Sequence, residues 1–142
     1  ESNLAMYGRL YNWYAVNDNR GLCPTGWHVP SIQEMDVLEE TLGGAPNAGI
    51  RLKSSPLDTP PWDGSNTSEF SARPAGMKAE DGSYYWEDFT ATFWSASPTG
   101  YNGSIENTAF SRNIQSNFDG VSPQADWYNR GYSVRCIKDT EE

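Results

Sequence analysis

The sequence predicts an α+β fold in a single domain that spans residues 1–142. Two early segments place apolar residues at helical spacing, whereas later segments alternate apolar and polar residues over short stretches. There is no strand–helix–strand rhythm, so a parallel sheet is not expected. A chain of this length can build one substantial core. We therefore expect two N-terminal helices packed on short antiparallel strands, with long loops between them.

The first predicted element is a strand over residues 7–16, where aromatic and polar side chains partly alternate. Tyr7, Tyr11 and Trp13 would share one face of this strand. A polar turn follows, and proline and glycine interrupt the chain again before Trp27.

The clearest predicted helix begins after Ser31 and ends at the glycine pair 43–44. Ser31 can cap it, and Glu34 completes a capping box three residues later. The apolar residues at helical spacing are Ile32, Met35, Leu38 and Leu42. The acidic residues are expected to face solvent rather than to form an acid–base pair; they are Glu34, Asp36, Glu39 and Glu40.

A shorter helix is predicted from Pro46 to about Lys53, with the proline in its first turn. Residues 54–68 are rich in proline, glycine and serine, which predicts a loop. Short strands are predicted at residues 70–74, 84–89, 93–97 and 132–138. Residues 98–131 are unusually polar, with isolated aromatic residues.

Aromatic residues make up 13% of the chain, so a few large rings should supply much of the buried area. We expect Trp13, Trp27 and Trp94 to be buried anchors. The formal net charge is −9, and a field of that sign repels phosphate backbones, which argues against nucleic acid as a partner. No segment is apolar enough to insert into a membrane, and the absence of a leader suggests a mature fragment or an excised domain.

The two cysteines, Cys23 and Cys136, lie near opposite ends of the chain. Together with one histidine they cannot fill a four-ligand zinc site. A disulfide between them would close a loop worth at most about 4.7 kcal/mol and would imply an oxidising compartment. We favour this disulfide; the alternative is a pair of separate buried thiols.

Five blocks of sequence resemble the Fibrobacter succinogenes major paralogous domain, a family of exported bacterial domains. The blocks are residues 7–16, 23–31, 70–76, 93–96 and 131–139. The family looks like a branch of the C-type-lectin-like fold, which also includes the formylglycine-generating enzymes. The Trp-His-Val-Pro-Ser block is similar to the helix entry of those enzymes.

The resemblance implies a fold and a location rather than a reaction. Members typically occur in surface lipoproteins, adhesins and retroelement-diversified receptors, so an extracellular or cell-surface location is expected. The related enzymes bind copper through an active-site cysteine pair. Here both cysteines lie in the terminal blocks, where a structural bridge is expected, so we do not expect an enzyme.

Other catalytic and metal sites are weakly supported. A Ser-His-Asp triad would have to use His28, for which a hydrogen-bonded structural role is the stronger interpretation. The sugar-binding tripeptides of calcium-dependent lectins are absent. Loop carboxylates could reach a hard cation, but their spacing matches no calcium loop, and they are expected to cap turns instead: Asp58, Asp63, Asp119 and Asp126. We therefore expect no metal and no other cofactor.

Residues 98–131 are the predicted ligand-binding segment because they mix aromatic anchors with adaptable polar groups, as paratopes do. The candidate residues are Tyr101, Asn102, Arg112, Phe118, Trp127, Tyr128, Asn129 and Arg130. Core filling is the competing interpretation for the rings, and it is favoured for Phe93, Trp94 and Phe110. The segment also has the composition of a diversified region.

The predicted function is non-catalytic recognition of a protein or glycan ligand by a bacterial surface protein. The alternative is a structural or stalk domain with no ligand of its own. On the first hypothesis, changing Trp127 and Tyr128 together to alanine abolishes binding and leaves thermal stability nearly intact.

Overall fold

The computed structural model describes residues 2–99 and 107–140 and has an α+β fold. The helices are α1 (Ser2–Tyr7), α2 (Trp13–Val16), α3 (Ile32–Thr41) and α4 (Ala45–Leu52). The strands are β1 (Trp27–His28), β2 (Met77–Lys78), β3 (Tyr84–Tyr85), β4 (Thr90–Pro98), β5 (Thr108–Gln115), β6 (Ser122–Trp127) and β7 (Ile137–Lys138). Among the described helices, none has the length and apolar character needed to cross a membrane.

The main sheet is antiparallel, with strand order β4–β5–β6. Strand β5 lies in the middle, so β6 forms an edge, where Trp127 is opposite Thr108 at one end and Ser122 is opposite Asn113 at the other. Two small antiparallel pairs complete the strands. One is β2–β3, and the other is β1–β7, which joins the early and late parts of the chain.

Both faces of the main sheet are covered. On one face, helices α3 and α4 enclose a group that we call the helix-side cluster: Met35, Ala48, Leu52, Trp62, Ala72, Ala91, Phe93, Ile114 and Val121. On the other face lies a group that we call the tryptophan cluster: Trp13, Met77, Trp94, Ala109 and Tyr132. Successive strand residues point to opposite faces, so the neighbours Phe93 and Trp94 belong to different clusters.

The two predicted helices α3 and α4 are confirmed. The Ser31 hydroxyl accepts from the Glu34 amide at 3.2 Å, and the Glu34 carboxylate accepts from the Ser31 amide at 2.9 Å, which is the expected capping box. Helix α4 lies so close to the β5–β6 connection that a Cβ on Gly49 would come within 2.0 Å of the Gly120 carbonyl oxygen. Glycine is therefore required at this contact.

The prediction of a strand over residues 7–16 is wrong. Helix α1 runs to Tyr7, Gly8 then adopts a φ of 78°, and the Asn12 side chain caps α2 by accepting from the Ala15 amide. Only Tyr11 keeps strand-like pairing, as an isolated bridge to Tyr132. The capping chemistry of asparagine outweighs the partial alternation of aromatic residues.

Three further expectations need correction. The polar segment 98–131 contains two of the three main strands, β5 and β6. The predicted strands 70–74, 84–89 and 132–138 are much shorter, since the regular pairing is limited to β3, β7 and isolated bridges. Trp27 is 45% exposed rather than buried, because β1 is a two-residue strand paired on one side only.

Candidate functional site

A depression of about 250 Å³ lies beside the end of the edge strand β6. We call its lining the Trp127 surface: Tyr14, Glu80, Asn107, Trp127, Tyr128 and Asn129. Trp127 is the last residue of β6, and its side chain is 48% exposed. Tyr14 from α2 is also exposed. Aromatic rings that lie open to solvent at a strand end can form ligand contacts with little loss of conformational entropy.

Tyr128 lines this depression and packs against the tryptophan cluster. Its ring stacks on Trp13 with 4.5 Å between centroids, and the Tyr14 ring meets it edge-on at 5.5 Å. The Tyr128 amide donates to the Asn107 carbonyl at 2.8 Å, and its carbonyl accepts from the Trp13 amide at 2.8 Å. Tyr128 therefore holds the surface in place more than it presents itself to a ligand.

Arg130 fixes the turn behind Tyr128. Its guanidinium donates to Asp126 at 3.0 Å and to Glu80 at 3.1 Å, and Asp126 also accepts from the Ser111 hydroxyl at 3.0 Å. Burial, followed by the nearby Asp126 carboxylate, raises the pKa of Tyr132 above its usual value. These charge-assisted hydrogen bonds hold the turn next to the Trp127 surface in a fixed conformation.

Two other predicted binding residues, Phe118 and Arg112, do not line this surface. Phe118 is 42% exposed but lies in the β5–β6 connection, at the far end of the hairpin. Strand β6 advances by five residues from Ser122 to Trp127, so the two ends of the hairpin lie roughly 17 Å apart. Tyr101 and Asn102 lie outside the described residues.

Arg112 has an internal role instead of the expected ligand contact. Its guanidinium donates to Glu39 at 2.9 Å and to Asp36 at 2.7 Å, and so joins β5 to α3. Glu39 is buried rather than solvent-facing. Burial raises the pKa of Glu39, although Arg112 acts in the opposite direction. Residue 112 points to the helix-side face, because it shares strand parity with Ile114.

The sequence interpretation missed a second concave region, which we call the tyrosine groove. It has a volume of about 630 Å³ and is bordered by α1, the 8–11 segment and the β2–β3 hairpin. Its rings are Tyr7, Tyr11, Tyr84 and Tyr85. Tyr84 is largely exposed, and the Lys78 ammonium lies 5.5 Å from its ring centroid. Tyr84 and Tyr85 fall within the strand predicted at residues 84–89, and that pattern alone gives no sign of a groove.

Comparison with family models identifies the protein family of this chain, which the geometry alone does not show. The model of the Fibrobacter succinogenes major domain matches residues 1–138. The chain belongs to this family. Searches of curated proteins and of solved structures gave no match.

The Fibrobacter succinogenes major domain described here contains the expected disulfide between Cys23 and Cys136, with a sequence separation of 113 residues. The bridge lies next to the β1–β7 pair, because Trp27 is paired with Lys138 and His28 with Ile137. Disulfides persist in oxidising compartments, so the bond indicates such an environment.

His28 of this family domain is held between two carboxylates. Its Nδ1 lies 2.5 Å from Asp139, and its Nε2 lies 2.9 Å from Glu34. The hydrogen bond to Glu34 and then that to Asp139 raise the pKa of His28. The ring therefore bridges the start of α3 to the chain end after β7, which is the structural role that we expected.

The loop carboxylates of the domain are used in local bonds. Asp58 accepts from the Ser55 amide at 2.6 Å. Asp63 accepts from the Asn117 amide at 2.7 Å and pairs with the buried Lys53 ammonium at 2.9 Å. Burial acts to raise the pKa of Asp63, but the Asn117 amide and Lys53 outweigh it, and the pKa is lowered. Within residues 2–99 and 107–140, no three acidic, histidine or cysteine side chains group as a metal site would need.

Proposed function

We propose that this domain is a non-catalytic recognition module of a bacterial surface protein and that it binds its ligand at the Trp127 surface. The observation that carries the proposal is the half-exposed Trp127 beside a depression with fixed walls. Tryptophan and tyrosine are enriched among residues that dominate binding energy. A wall that is already rigid loses little entropy when a ligand binds.

The proposed location is extracellular or on the cell surface. The support is the Cys23–Cys136 disulfide, together with the resemblance to exported domains. The proposed fold type is C-type-lectin-like. Two helices, α3 and α4, pack against short antiparallel strands, which agrees with that proposal.

The test is a binding screen with the labelled domain on an array of glycans and an array of bacterial and host surface proteins. Trp127→Ala is expected to weaken any hit about 30-fold or more, as dominant interface residues do. Phe118→Ala is the matched control, since its ring is about equally exposed but lies at the other end of the β5–β6 hairpin. This control should bind as the unaltered domain does.

The stability of the variants separates binding from folding. Trp127→Ala should change the free energy of unfolding by less than about 1 kcal/mol, because its ring is half in solvent. Tyr128→Ala should be destabilising because it removes the ring that stacks on Trp13. The double change of Trp127 and Tyr128 is therefore not a clean test of binding. A domain that binds nothing on either array would favour the stalk function, and equal binding by Trp127→Ala would place the ligand elsewhere.

A further inference from the structure

A cavity of about 240 Å³ brings together three arginines from distant parts of the sequence. We call it the arginine cavity; its lining is Tyr7, Gly8, Arg9, Tyr11, Arg73, Phe93, Ser133, Val134 and Arg135. It shares no residue with the Trp127 surface. The chain has a net charge of −9 and only ten lysines and arginines, so a group of three arginines is a local reversal of its charge.

Arg135 is partly buried and held in a fixed orientation. Its Nη1 donates to the Phe70 carbonyl at 2.7 Å, and its guanidinium carbon lies 4.1 Å from the centroid of the Phe70 ring. Burial, followed by the positive charge of Arg73, lowers the pKa of Arg135. Arg73 and Arg135 line the same cavity, so their positive charges repel one another.

Arg73 and Arg9 complete the positive lining. Arg73 Nη1 donates to the carbonyls of Met6 at 2.9 Å and Ala5 at 3.2 Å, at the end of α1. Arg9 is exposed. The hydrogen bonds that Arg73 and Arg135 form here go to backbone carbonyls rather than to carboxylates. Positive side chains placed together in one cavity favour the binding of an anion.

The size and the surroundings of the cavity narrow the class of anion. It is smaller than the roughly 300–1,000 Å³ pockets that enclose drug-sized ligands, so it suits one functional group or one ring. It adjoins the tyrosine groove through Tyr7, Gly8, Arg9 and Tyr11, which line both. Glu87 lines the groove but not the cavity, and the Tyr7 hydroxyl donates to Asp88.

The backbone around the cavity is already paired. Tyr11 exchanges both backbone hydrogen bonds with Tyr132, and the Ser133 amide donates to Thr92. An extended peptide gains affinity mainly from main-chain bonds to a free edge, and little of that edge is available here. Recognition must therefore come from guanidinium groups and tyrosine side chains, which suits a ring that carries an anionic group.

We propose that the arginine cavity binds the carboxylate of an acidic sugar residue and that the sugar ring lies against Tyr7 and Tyr11. The planar fork of a guanidinium matches a carboxylate in two-point contact. The neighbouring sugars of a longer chain then follow the tyrosine groove. This is a second site, separate from the Trp127 surface.

Titration calorimetry with trigalacturonic acid tests the proposal, and its methyl ester serves as the uncharged probe. The acid should bind and the ester should bind at least about tenfold more weakly. Arg9→Gln and Arg73→Gln should each weaken binding of the acid about tenfold. Arg51→Gln is the matched control, because Arg51 also donates to a backbone carbonyl, that of Leu42, but does not line the cavity. Higher salt should weaken binding.

Several results would overturn the proposal. The first is that the domain binds the ester as tightly as the acid. The second is that Arg51→Gln loses as much affinity for the acid as Arg9→Gln and Arg73→Gln do. The third is that the acid does not bind at millimolar concentration. Tighter binding of tetraglutamate than of trigalacturonic acid would assign the cavity to acidic peptides instead. Binding of sulfate alone would show a site for inorganic anions only. Trp127→Ala should leave trigalacturonic acid binding unchanged, so this proposal and the proposed function can fail independently.

Discussion

The two faces of the main sheet are packed in different ways. The helix-side cluster contains mostly aliphatic and small side chains under α3 and α4. The tryptophan cluster relies on two indoles whose N–H groups bond to the backbone. Trp13 Nε1 donates to the Ser95 carbonyl at 2.9 Å, and Trp94 Nε1 donates to the Tyr11 carbonyl at 2.8 Å.

The two clusters therefore contribute differently, because one mainly stabilises the fold and the other mainly positions the proposed sites. Both proposed sites contact the tryptophan cluster, since Tyr128 stacks on Trp13 and the Tyr11 carbonyl accepts from Trp94, and the arginine cavity also contacts Phe93 of the helix-side cluster. A hydrogen bond to an indole fixes direction as well as distance, whereas aliphatic contacts tolerate rearrangement. The tryptophan face therefore determines the geometry of the Trp127 surface. The helix-side face supplies most of the buried apolar area, and it also borders the arginine cavity through Phe93.

The largest expected effect compares the two neighbours on β4. Trp94→Ala should lower the free energy of unfolding by about 4–5 kcal/mol, because it leaves a cavity and removes the donor to Tyr11. Phe93→Ala should lower the free energy of unfolding by about 3 kcal/mol. Trp94→Phe removes the N–H donor but keeps an aromatic ring. It should lower the free energy of unfolding by about 1–3 kcal/mol. Denaturant unfolding measures all three, and a larger loss for Phe93→Ala would contradict the comparison.

Reduction of the disulfide is the next test. It should lower stability by about 2–4 kcal/mol, because the bridge closes a long loop in the unfolded chain. Hydrogen exchange should show greater loss of protection around Trp13 than in α3, since the segment with Trp13 lies before Cys23 and depends on that anchor. A double variant with serine at both cysteines is the control. Uniform loss of protection would mean that the two clusters unfold as one unit.

The smallest expected effect is the pH dependence from His28. A histidine with a raised pKa contributes stability that is complete below its unfolded value of about 6.5 and is lost as the pH rises through the folded value. All three groups of this bridge are more than a third exposed, so the loss as the pH rises above about 6.5 should be below about 1 kcal/mol. His28→Gln should remove this pH dependence. Rising stability over the same range would contradict the assignment.

Local signals explain what the sequence could predict. Helix α3 carries its own capping box, and α4 has proline in its first turn, so neighbouring residues suffice for both. Strand β5 was missed because its polar residues are buried with distant partners. Asn113 donates to Thr92 at 2.8 Å, and Arg112 pairs with Glu39. Without these partners, the segment has the composition of a loop.

Prediction of the site residues was limited in the same way, because some of them depend on distant partners. The exposure of Trp127 was expected from its polar surroundings, and the structure agrees. Tyr128 could not be distinguished from it, because the ring that covers Tyr128 is Trp13, near the other end of the chain. The arginine cavity combines residues 9, 73 and 135, which come from three separate sequence blocks. Only the folded chain shows that they meet.

The position of the disulfide also determines how the domain responds to mechanical tension. A force applied to the two ends of this chain passes through Cys23 and Cys136, so the 113-residue separation between them cannot be drawn out. Within the sequence from Glu1 to Glu142, the 22 residues before Cys23 and the six after Cys136 lie outside the bridge, and their fully extended length is roughly 100 Å at about 3.6 Å per residue. The extensible segment includes Tyr7, Arg9 and Tyr11. Tension would therefore open the arginine cavity and would also remove Trp13 and Tyr14 from beside Tyr128, while the main sheet remains behind the covalent clamp.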